Sequence, residues 1–222
     1  MNIPGISISM GQTGNLSDSL WLVLLLTVLT LAPAILILCT SFTRIVIVFS
    51  FLRQAIGAQN LPPNQVIIGL SLFLTIFVMW PTGNNLYTKA LLPYTEKTIT
   101  GQESFIRAEK ILREFMEKEV RAEDLKMLFD VTKTPYAATI QEVPFHFLVP
   151  SFILSELKTA FQIGFLLYIP FLILDMVVAS VLMAMGMMML PPVVISLPFK
   201  LLLFVLVDGW QLVTGTLLRS FH

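Results

Sequence analysis

Long uncharged stretches alternate with one dense polar stretch along this chain, and the pattern predicts helices throughout. Ser19 to Thr43 runs 25 residues without a charge. A helical bilayer span needs about 20 apolar residues, so this is the first expected span. Gln54 to Thr88 is also uncharged, but Pro62-Pro63 and the polar Gly83-Asn84-Asn85 trim its apolar centre to Val66–Trp80. That is short for a span unaided. Of the 28 acidic and basic residues, 19 fall between Lys89 and Glu142. The chain therefore reads as two apolar blocks around one polar insert: a polar N-terminus (1–18), N-terminal hydrophobic helices (19–88), the insert (89–142) and a C-terminal hydrophobic hairpin (143–222).

The insert is expected to be helical from Phe105 to Phe129, where Phe105, Leu112, Phe115 and Met116 recur at helical spacing. Glu109/Arg113, Glu114/Lys118 and Glu117/Arg121 stand four apart in the favourable order, each pair contributing a few tenths of a kcal/mol. A flexible stretch around Thr132–Ala138 leads back to the apolar block at Pro144. There the approach is expected from Phe147 to Met189 and the return from Ser196 to Arg219. Proline lacks a backbone donor and crowds the preceding turn, so Pro150 should start a helix, Pro170 kink it and Pro191-Pro192 end it. The fold class is all-α: helical hairpins with a polar helical insert.

Composition places this architecture at a membrane. The 222 residues are 56% hydrophobic and 13% charged, with a mean hydropathy of +0.83, where soluble domains carry about 25% charge. Fourteen basic residues balance fourteen acidic ones, so bulk charge points to no nucleic-acid partner. The one cysteine, Cys39, has no internal partner for a disulfide and reads as a packing residue. Met1–Ser17 lacks the basic region of a signal peptide, so either there is no signal or it was removed before numbering began. Arg44 and Arg53 between the first two apolar segments place that loop in the cytoplasm, the insert outside and the later Met-Pro turn inside.

Candidate chemistry concentrates in the second block. Between Lys158 and Lys200 the only charge is Asp175, and the run Met185-Gly186-Met187-Met188-Met189-Leu190-Pro191-Pro192 lies near its end. Unbranched thioether side chains fill irregular gaps and yield without leaving a charge behind, as a soft constriction at a helical turn requires. Glu156, Lys158 and Lys200 fall where burial is expected, and Asp175 and Asp208 are further candidates. Ionisable groups in such settings are costly unless paired or facing water. Glu156 and Lys158, two apart on a helix, should seek different neighbours. No enzyme, cofactor or metal site is expected: His146 and His222 lie far apart, no phosphate loop is present, and Ser155 has no histidine as its base.

The run Pro150-Ser-Phe-Ile-Leu-Ser155-Glu156-Leu157-Lys158-Thr-Ala160-Phe161-Gln162-Ile163-Gly164-Phe165 closely resembles the signature of the FliP family, the export-gate protein of the flagellar type III secretion system. So do Pro198-Phe199-Lys200, Phe204, Asp208-Gly209-Trp210, Ser41-Phe42-Thr43-Arg44 and Pro62-Pro63-Asn64-Gln65. The resemblance extends from about residue 30 onward, with the insert and the first 20 residues generic. It implies a pore-forming core subunit in the bacterial inner membrane at the flagellar basal body, passing unfolded proteins. Partners implied are about five copies of the chain itself, FliR-family and FliQ-family subunits, and FlhB/FlhA-family export proteins. It also implies that the apolar hairpins are raised largely out of the bilayer. Met185, Met187, Met188 and Met189 match the family's methionine gasket, and Glu156 and Lys200 are carried over as a bridge between neighbouring subunits. The homologous injectisome subunit is the nearest alternative; a stand-alone small-solute transporter or membrane chaperone is an alternative of another class.

Overall fold

A computed structural model describes residues 16–58, 61–136, 139–187 and 189–221. Among them every regular element is helical. The elements are α1 (Leu16–Leu38), α2 (Phe42–Ile56), α3 (Asn64–Leu86), α4 (Leu92–Thr95), α5 (Gly101–Glu119), α6 (Ala122–Thr132), α7 (Phe145–Ala184), α8 (Pro192–Leu206) and α9 (Gly209–Arg219). A π-helical turn, Tyr87–Leu91, joins α3 to α4, and a 3-10 turn, Ile140–Glu142, precedes α7.

Residues 1–36 and 37–222 form two units. In the first, the hydroxyls of Thr27 and Thr30 donate to the carbonyls of Val23 and Leu26, so these polar groups are satisfied within the helix. That is what an apolar surrounding demands. The expected uncharged span does not run unbroken to Thr43. The chain leaves helix α1 after Leu38, and Thr40 closes a turn onto the Ile37 carbonyl. Phe42 then starts a new helix.

Among the described residues, two helices are long and apolar enough to cross a membrane: Asn64–Thr95 and Phe145–Ala184. The pair α8 and α9, bent by 64°, makes a third if counted as one span. The described apolar stretch of α1, Ser19–Leu31, is shorter. The second segment is thus longer than its sequence implies. Pro81 lies inside α3, and Gly83, Asn84 and Asn85 stay helical. The helix continues because the widened turn at Tyr87–Leu91 is supported from α5: the Ser104 hydroxyl donates to the Ala90 carbonyl at 3.0 Å, and Arg107 donates to the Lys89 carbonyl at 3.3 Å.

Within residues 37–222 there are two cores. In the first, Ile45, Val48, Phe49 and Leu52 of α2 meet Ala160 and Phe171 of α7, Phe204 of α8, and Val213 and Leu217 of α9. In the second, Phe115 and Met116 of α5 and Leu125 and Phe129 of α6 close over Phe147, Leu148 and Phe152 of α7, with Cys39 as a small packing residue. The polar insert is therefore fastened to the membrane-type helices by its own apolar face.

Its helix breaks at Val120-Arg121, which is extended, rather than running on to Phe129. Arg113 pairs with Glu109 at 3.3 Å and also with Glu117 at 3.8 Å. Glu117 thus points back along α5, and Arg121 turns to α7 instead, reaching Thr159 at 2.9 Å and Gln162 at 2.6 Å. The start of α7 likewise differs from expectation. Pro144 is its cap and Pro150 lies within it, as does Pro170.

Candidate functional site

The hairpin of α7 and α8 presents the methionines at its tip. The approach ends at Ala184 through its glycine, not through the two prolines. Gly186 adopts φ +78°, its N–H donates to the Met183 carbonyl at 3.0 Å, and the Met187 N–H donates to the Leu182 carbonyl at 2.9 Å. This pair of bonds around a left-handed residue is the Schellman ending of a helix, which glycine adopts without a Cβ clash. Pro191 is extended and Pro192 begins α8. Proline suits a helix start, where its missing N–H has no partner to lose. Met187, Met189 and Leu190, between these two signals, belong to neither helix.

Met185, Met187 and Met189 are 56, 40 and 98% exposed. They are not hairpin core. Met188 lies outside the described residues.

Of the charges expected to be buried, Glu156 and Lys200 lie in two internal clusters. On α2, the Arg44 guanidinium donates from Nε to Glu156 Oε2 of α7 at 2.8 Å and from Nη2 to Glu156 Oε1. Nη2 also donates to Glu119 Oε2 at the end of α5, at 2.6 Å. Nη1 donates to the Ser220 carbonyl at 2.7 Å and its hydroxyl at 3.1 Å, while the Phe221 ring covers the guanidinium at 3.9 Å. Arg44 and Glu156 are 2 and 0% exposed.

In the second cluster Lys200 of α8 donates to Asp175 Oδ2 of α7 at 2.6 Å and to the Ala55 carbonyl of α2 at 3.2 Å. Ser196 completes it by donating to Asp175 Oδ1.

Glu156 and Lys200 do not meet each other. Each is enclosed and satisfied within its own chain, Glu156 by Arg44 and Lys200 by Asp175. Burial favours this outcome, because a charge left waiting for a neighbour would lose its hydration with nothing in exchange. Lys158 does seek a different neighbour from Glu156. It pairs with Asp124 of α6 at 3.2 Å, half exposed, and Ser155 donates to the same carboxylate at 2.8 Å. Asp208 is exposed at the left-handed corner between α8 and α9.

Arg44, Glu119 and Asp124 escaped the reading of sequence as functional candidates. One signal was available for Arg44: it is the first basic residue of the chain, set directly after the longest uncharged stretch near the N-terminus. Glu119 and Asp124 carried none, since acids are common in a charged helix.

The signature glycines have steric explanations. A Cβ at Gly164 would meet Phe51 at 2.7 Å, and one at Gly209 would meet the Phe204 ring at 2.2 Å. Trp210 packs edge-on against the same ring, 5.4 Å between centroids. Among the described residues no group of three His, Cys, Asp or Glu side chains is placed to hold a metal ion.

The sequence is similar to known proteins. The model of the FliP family matches residues 25–217. The flagellar biosynthetic protein FliP of Bacillus subtilis (strain 168) is 56% identical over 207 residues, 93% of this chain and 94% of that protein. Its counterpart of the same name in Aquifex aeolicus (strain VF5) is 52% identical over 222 residues, 99% of this chain and 92% of that protein. A further one, from Pectobacterium carotovorum subsp. carotovorum, is 53% identical over 212 residues, 96% of this chain and 81% of that protein. With the family model matched over residues 25–217 and relatives more than half identical over most of its length, the chain belongs to the FliP family.

Proposed function

We propose that this chain is the pore-forming core subunit of a bacterial flagellar type III export gate. It sits in the inner membrane at the flagellar basal body and passes unfolded flagellar proteins towards the growing structure. The observation that carries the reading is the hairpin tip, where a capped helix end and a proline start hold methionines out of the subunit's own core. Side chains displayed in this way, Met189 above all, leave much of their apolar surface uncovered within one chain. In a ring of several copies they form an apolar seal that excludes ions and parts around a polypeptide.

The internal pairing of Arg44, Glu156, Asp175 and Lys200 speaks against a stand-alone solute transporter. These charges hold helices together instead of lining a polar path through one subunit. The flagellar rather than the injectisome reading rests on the relatives, which carry the name flagellar biosynthetic protein. Several copies of this chain, with FliR-family and FliQ-family subunits around them and FlhB/FlhA-family proteins beside them, complete the proposed assembly.

Replacing Met187, Met188 and Met189 together with alanine tests the seal. The truncations at Met187 and Met189 shorten tip side chains that belong to neither charge cluster. Cells making the variant are expected to leak ions and small polar molecules, read as uptake of a membrane-impermeant dye. Permeability equal to that of the unaltered chain, at equal membrane levels of protein, would remove the seal from the mechanism.

A further inference from the structure

Four separate parts of the second unit end on one guanidinium. Arg44 itself comes from α2; Glu156 brings α7, Glu119 brings the last residue of α5, and Ser220 brings the chain immediately after α9. The contacts use Nε, Nη1 and Nη2, each directed to a different set of acceptors. Only the planar fork of arginine can serve them together; a lysine ammonium is a single point donor.

The two hairpin arms meet here as well. Glu156 lies on the approach, and α7 runs unbroken from it to Ala184, a distance of about 42 Å at 1.5 Å per residue. Ser220 closes the return arm formed by α8 and α9. Both arms are thus held at one point far from the tip, and the same point fastens the insert through Glu119. The Lys200–Asp175 pair ties the arms again nearer the tip.

We propose that Arg44 is the positioning residue of the hairpin base: it fixes α7 and the return arm against the polar insert and so sets where the Met-bearing tip lies. This assignment adds to the seal reading, and its functional consequence rests on it. A small tilt at the base is magnified along α7, so a lost contact at Arg44 displaces the tip more than the base. The insert is then not an accessory outside the gate but one of its anchoring points.

The test is a distance within one chain. Spin labels are placed at Glu114→Cys on the exposed side of α5 and at Val194→Cys beside the tip, with the buried Cys39→Ala to leave two labelling sites. The unaltered hub should give one narrow distance distribution in detergent. Arg44→Lys keeps the charge but loses the fork, and is expected to shift or broaden the distribution by about the 5.4 Å of one helical turn. Glu119→Gln removes the ionic contact between Arg44 and the insert while leaving Glu156 and Ser220 in place, and is expected to broaden it less.

A distribution unchanged in the folded fraction of Arg44→Lys, even with a lower melting temperature, would reduce Arg44 to a stabilising residue and overturn the proposal. Should Arg44→Lys fail to fold, an unchanged distribution in Glu119→Gln does the same. Dye uptake by cells carrying Arg44→Lys separates the two readings. A shifted tip with several-fold greater uptake supports both, whereas a shifted tip with no added uptake supports the positioning role and counts against the seal.

Discussion

Gly209 and Gly215 lie in one helix, α9, yet an added methyl meets opposite surroundings at them. At Gly209 a Cβ falls 2.2 Å from two carbons of the Phe204 ring, whereas at Gly215 nothing lies within 4 Å. The ring cannot simply swing away, because Trp210 packs against it on one side and Phe171 faces it at 6.4 Å. Gly209→Ala is therefore expected to destabilise by about 1–3 kcal/mol, the usual cost of overpacking. Gly215→Ala should raise stability by about 0.5–1 kcal/mol through helix propensity. Thermal unfolding of the two variants in the same detergent measures the contrast, and equal melting temperatures would contradict it. Sequence made the Asp208-Gly209-Trp210 run conspicuous, but not its reason. The aromatic ring that excludes a side chain at Gly209 belongs to the preceding helix, and only the 64° bend between α8 and α9 brings it there.

Element boundaries depended on which proline controlled each helix, and here apolar periodicity had little to say. Pro144 caps α7 while Pro150, six residues later, is carried inside it. A proline near a helix start forfeits few backbone bonds, so tertiary packing of Phe147, Leu148 and Phe152 decides where the helix begins. The approach and return arms were legible from their apolar runs; their cross-ties were not. Lys200 and Asp175 are 25 residues apart in sequence and face each other only because the hairpin folds back on itself. Asp175→Asn should leave the Lys200 ammonium enclosed without a counter-charge, at a cost of roughly 3–5 kcal/mol if no water enters. By contrast, Asp124→Asn loosens a pair whose lysine is half in solvent and keeps an amide oxygen to accept from Ser155, so its ionic part is worth about 0–1 kcal/mol. Chemical denaturation of the two variants should therefore rank Asp175→Asn well below Asp124→Asn. The reverse order would mean that the second charge cluster does not brace the hairpin.

At the scale of the whole molecule, the arrangement of apolar surface calls for neighbours. Phe73, Phe77 and Trp80 of α3 and Val205 and Leu206 of α8 are each about 70% exposed. Lipid can cover such positions on membrane-type helices, but the polar insert carries exposed apolar residues too. Phe105, Ile106 and Val131 stand out from a stretch dense in acids and bases. An apolar side chain beside charged ones is poorly placed for the bilayer interior, so a protein surface is the better cover. The hairpin tip leads to the same conclusion, because Met189 is almost fully exposed and Met185 and Met187 are covered only in part by their own chain, which leaves apolar surface for other chains to cover. Co-expression with FliQ-family and FliR-family subunits, followed by gentle detergent extraction, should yield a complex in which a cysteine at Phe105 is slower to react with maleimide than in the chain alone. The core position of Cys39 keeps the native thiol out of the comparison. A monomer that recruits neither partner, and in which the Phe105 position reacts equally fast with or without them, would show that the insert's apolar face is not an assembly surface. The tip would then need another explanation, since one hairpin cannot close a passage by itself.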